Sequence, residues 1–103
     1  MGNPMKVRAR TEGDSTEVKI LMSHIMETGQ RKNDKGETVP AHFIQNVTVM
    51  HQGRVVLNAQ FGPAVSANPF VGFKFKGGAK GEILKVSWRD NKGDSRSDEV
   101  LIS

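Results

Sequence analysis

The chain has 103 residues, 15 Lys and Arg against 11 Asp and Glu, a formal net charge of +4, and no cysteine. Its 36% hydrophobic and 25% charged content describes one globular domain rather than a disordered chain. Disulfides, thiolate catalysis and thiolate-ligated metals are excluded within it, and no apolar run nears the roughly 20 residues of a membrane-spanning helix.

Residues 1–4 carry no apolar signal segment. Met5 is a candidate natural start, with residues 1–4 as an expression remnant and 5–103 as the single domain. Met5, Val7 and Ala9 alternate with Lys6, Arg8 and Arg10, the pattern of a strand with one polar face. After the turn Glu12-Gly13-Asp14-Ser15, a second strand runs to Ser23, with Val18, Ile20, Met22 and then His24 on one face. A long polar stretch from Ile25 to Pro40 follows, and loops of this length inside a compact domain are usually functional.

His42 to His51 reads as a strand with Phe43, Val47 and Val49 inward, Gln45 out of pattern, and His42 and His51 on opposite faces. Gln52-Gly53 is a hairpin turn leading to Val55, Leu57, Ala59 and Phe61. Two prolines between Gly62 and Pro69 forbid a regular ladder, and Asn68 before Pro69 is expected to be extended. Val71, Phe73 and Phe75 mark a fifth strand, and Leu84, Val86 and Trp88 a sixth beyond a glycine loop. Arg96 to Ile102 makes the last strand after the turn at residues 90–93. Seven short strands without a helical period predict an all-β fold, an antiparallel immunoglobulin-like β-sandwich with Trp88 in its core.

Little here points to reaction chemistry. His24, His42 and His51 stand at no close paired spacing, so a metal set is not expected. Ser66 lacks the framing of a nucleophile elbow, and the glycines at 77, 78 and 81 precede neither Lys-Ser/Thr nor a helix. Phe73 and Phe75 lie on the face opposite Lys74 and Lys76, which suits core packing rather than base stacking. Two loops remain, residues 25–40 and 62–69.

In those loops the run His24, Met26-Glu27-Thr28-Gly29 and Arg31-Lys32 is followed by Gly36, Pro40 and Ile44, then by Ser66-Ala67-Asn68-Pro69-Phe70. Together these resemble the SoxZ family, the small subunits of SoxYZ sulfur-carrier heterodimers, over nearly the whole chain from about Val7. Ile25 stands where many relatives have proline, which leaves the start of the loop less rigid. The resemblance implies a non-catalytic, cofactor-free subunit in thiosulfate oxidation. It implies a SoxY-type partner whose arm cysteine bears the sulfur intermediates, with other Sox enzymes as transient partners. The setting implied is the bacterial periplasm, reached by export with the signal-bearing partner. Neither nucleic acid nor membrane is an expected partner.

Partner-binding residues are expected at Met26, Glu27, Gly29, Arg31, Lys32, Ser66, Asn68, Pro69 and Phe70. Arg31 and Lys32 are the expected exposed docking cations, with Glu27 orienting one of them. Val56 and Leu101, with Met50 and Phe70, are the candidate apolar surface for a permanent partner. The competing reading is a free-standing basic β-sandwich module that binds polyanions such as nucleic acid.

Overall fold

The computed structural model describes residues 2–103. It has strands β1 (Lys6–Glu12), β2 (Ser15–Leu21), β3 (Ile44–His51), β4 (Arg54–Gln60), β5 (Phe70–Lys76), β6 (Ile83–Asp90) and β7 (Ser95–Leu101). A three-stranded sheet ordered β1-β2-β5 faces a four-stranded sheet ordered β4-β3-β6-β7. All pairs are antiparallel. The chain therefore changes sheet after β2, after β4 and after β5, as the expected all-β sandwich requires.

Alternation explains the core. Val18, Ile20 and Phe75 point in from one sheet, and Val47, Val49, Leu84, Val86 and Trp88 from the other, all buried. The buried hydroxyl of Thr16 donates to the Gly77 carbonyl at 2.7 Å, so the sandwich leaves that polar group satisfied.

Two irregularities overturn details of the strand reading. The β3–β6 register slips between Ile44 and Asn46, which puts Ile44 rather than Phe43 fully inside and turns Gln45 out to solvent. Gln45 breaks the alternation because it belongs to a bulge. The β3–β4 register slips again between Val49 and Met50, so Val55 is exposed while Val56 packs half-buried against the core. Val56 therefore offers less apolar surface than the exposed Val55 and Leu101. His42 lies outside β3, so strand parity does not apply to it.

Candidate functional site

The long connection from β2 to β3 is an ordered flap. Its base is closed by a backbone bridge in which Glu27 N–H donates to the His42 carbonyl at 2.7 Å and His42 N–H donates to the Glu27 carbonyl at 3.0 Å. Nearer the tip, Lys32 and Thr38 form a second bridge, and Val39 N–H donates to the Arg31 carbonyl at 2.7 Å. The tip itself turns on Asn33, whose Oδ1 accepts from the amides of Lys35 and Glu37. Gly29 sits at φ 88° with the Ala41 side chain so close that an added Cβ would come within 3.1 Å of it. Only glycine meets both requirements.

A buried hub anchors the flap. The wholly buried Asp90, at the end of β6, accepts from His42 Nε2 at 2.7 Å and His24 Nε2 at 3.1 Å through Oδ2. Its Oδ1 accepts from the amides of Lys92 and Asp94, both at 2.9 Å. Burial alone would push the Asp90 carboxyl up. The bonds from His24, His42, Asp94 and Lys92 outweigh it and hold the group below the usual carboxylate range. His24 lies edge-on to both His42 and Trp88, with ring centroids 4.7 and 5.2 Å apart. Asn91 next door clamps the far end of the flap, its side chain bonding the Ala41 carbonyl and the Phe43 amide.

The expectation that the histidines stand apart is thus wrong for two of them. His24, His42 and Asp90 place their ligand atoms within 4.8 Å of one another, a span that invites a metal reading. The tautomer of His24 argues for a hydrogen-bond hub instead. Its Nδ1 accepts the Met26 amide proton at 3.1 Å, so its own proton sits on Nε2 and points at Asp90. A metal on Nε2 would force that proton onto Nδ1, facing the Met26 N–H. His51 is a separate case, buried and bonded to Glu82 at 2.9 Å.

The two sequence motifs meet at His24. Its amide donates to Asn68 Oδ1 at 3.1 Å and its carbonyl accepts from the Asn68 amide at 2.9 Å. To make both bonds Asn68 adopts φ 53°, left-handed rather than the expected extended form. Asparagine tolerates this conformation better than most residues.

Of the expected partner-binding residues, Met26 and Pro69 are buried and act inside the chain, Met26 with its sulfur accepting the Ile44 amide at 3.3 Å. Gly29 and Asn68 shape the loops. Ser66, Arg31 and Lys32 are exposed, and Phe70 is 62% exposed. Arg31 forks onto Glu27 with Nε at 3.0 Å from both carboxylate oxygens and Nη2 at 2.7 Å from one. Through that hydrogen bond the guanidinium holds the Glu27 carboxyl down. Sequence reasoning placed Asp90 and Asn91 in a turn and missed the part both play in anchoring the flap.

The fold and this site define a β-sandwich module with a hub-anchored flap. The chain belongs to the SoxZ family: the family profile, described as Sulphur oxidation protein SoxZ, matches residues 5–101. No curated protein matches the sequence. Among solved structures it is similar to a superoxide reductase in the oxidized state, with TM-score 0.64, 18% identity, and coverage of 96% of this chain and 86% of that one. A superoxide reductase (neelaredoxin) from Ignicoccus hospitalis gives TM-score 0.56 at 15% identity, covering 98% of this chain and 81% of that one. One from Archaeoglobus fulgidus gives 0.57 at 20%, covering 97% and 86%. At such identities the likeness concerns the fold alone.

Proposed function

We propose that this chain is the non-catalytic subunit of a heterodimeric sulfur carrier, paired with a SoxY-type subunit whose arm cysteine bears the intermediates of thiosulfate oxidation. Membership of the sulfur-oxidation family is the observation that carries this reading. The absence of cysteine supports it, since a chain without a thiol leaves the covalent cargo to its partner. The hub supports it too: His24 and Asp90 spend their side-chain polar atoms, and His42 its Nε2, on holding the flap, which suits a scaffold better than a reaction centre. The setting we propose is the periplasm, reached by export with the partner.

The exposed Ser66 and the half-buried Glu27 are the proposed contacts of the two loops with the cysteine-bearing subunit. Co-expression with the cysteine-bearing subunit, followed by size-exclusion chromatography, tests the reading. A stable one-to-one complex, with no thiosulfate turnover by this chain alone, is expected. Turnover by the isolated chain, or failure to form the complex, overturns it.

A further inference from the structure

The flap offers no net charge for long-range attraction, because it is electrically balanced. Between residues 25 and 41, Arg31, Lys32 and Lys35 face Glu27, Asp34 and Glu37, and Arg31 is already forked onto Glu27. The charge lies elsewhere. The register of the three-stranded sheet sets out its solvent face in rows: Lys6–Leu21–Phe70, Arg8–Lys19–Gly72, Arg10–Glu17–Lys74 and Glu12–Ser15–Lys76. Every residue in these rows is exposed except the half-buried Ser15. Six cations stand against the two carboxylates Glu12 and Glu17, an excess of four that equals the formal net charge of the whole chain.

The face also has an apolar anchor. Leu21 (41% exposed) pairs directly with Phe70 (62% exposed), and a Cβ at Gly72 would come within 3.3 Å of the Phe70 ring. An aromatic side chain at the end of a charged field is the composition of a recognition surface with one strong contact and a steering rim. Glu17 in the middle of the rows works against a continuous phosphate chain, so the complement is a protein surface rather than nucleic acid.

We propose that this sheet face docks the acidic face of an enzyme that loads or unloads the carrier, with Phe70 and Leu21 seated in an apolar depression of that enzyme. The inference rests on the sulfur-carrier reading and assigns its transient encounters to the sheet rather than to the flap cations. Few exposed apolar side chains among many charges suit a short-lived contact better than a permanent one.

The test uses the assembled heterodimer and measures the rate at which the purified loading enzyme modifies the partner's cysteine, at about 20 mM and 500 mM NaCl. Lys19→Glu with Lys74→Glu should leave assembly intact and slow loading at low salt by about tenfold or more, with the two proteins converging at high salt. Phe70→Ala should slow loading at both salts. Arg31→Glu with Lys32→Glu should stay within about twofold of the wild type. Equal rates for the Lys19/Lys74 variant at low salt overturn the proposal, as does loss of the heterodimer in that variant, which would make the face the permanent interface. Tight binding of a 20-nucleotide single strand by the wild-type heterodimer, lost in the same variant, overturns it in favour of a polyanion site. Failure of the wild-type chains to assemble defeats the carrier reading itself, and this inference with it.

Discussion

Asp90→Asn is the most informative single change, because it keeps the volume of the side chain and alters only its hydrogen-bond signs. The carboxylate accepts four bonds, two from imidazoles and two from backbone amides. An asparagine has one accepting oxygen and one donating nitrogen. Whichever way it is turned, its NH2 group meets N–H donors. If it faces the histidines, His24 has no easy escape, since its Nδ1 is committed to the Met26 amide.

One or two buried donors are therefore left unsatisfied, at about 1–3 kcal/mol each. A loss of about 2–4 kcal/mol is expected, seen in urea unfolding as a lower midpoint with an unchanged slope. For a domain of this size each kcal/mol corresponds to roughly 4–8 °C in Tm. Amide exchange should accelerate across residues 25–41, which the hub ties to β6, and much less in the β1–β2 pair. A loss below about 1 kcal/mol, or exchange that stays unchanged in the flap, would refute the claim that the hub holds it.

The same group fixes a pH dependence. The Asp90 carboxyl lies below its unfolded value, so its contribution is fully present above the unfolded carboxylate range, near pH 4, and fades as pH falls through the folded value. Acid titration of stability should show a steeper decline below about pH 4 in the wild type than in Asp90→Asn. Trp88→Ala should cost about 3–5 kcal/mol in denaturant unfolding, because the ring is 2% exposed and packs on His24. Asn68→Ala removes the acceptor of the His24 amide and places an alanine at φ 53°, so a loss of about 1–3 kcal/mol is expected from the same assay.

Strand identity was legible because a half-buried strand writes its environment at every second residue, as Val18, Ile20 and Met22 do. Trp88 was legible for the same reason. The bulges were not: a register slip adds a residue without changing composition, so Val55 and Val56 exchanged faces with only Gln45 hinting at irregularity in the neighbouring part of β3. The fork of Glu27 and Arg31 was readable, since four residues of a turning chain bring both ends together. The hub was not. Asp90 is 66 residues from His24 and 48 from His42, and no local pattern links groups that meet only after the β2–β3 flap folds against the β6–β7 turn. Nor did the motifs distinguish shaping residues from contact residues. Met26 and Pro69 stand in the most recognisable stretches, yet both are buried.

The proposed carrier role has one decisive readout, the chain on which the sulfur resides. Native mass spectrometry of the co-purified complex, after incubation with thiosulfate and the loading enzyme, tests it most directly. The expected product is a one-to-one complex whose added sulfur mass, on dissociation, travels only with the cysteine-bearing chain. Sulfur mass on this chain, or this chain recovered alone while its supposed partner loads normally, would contradict it.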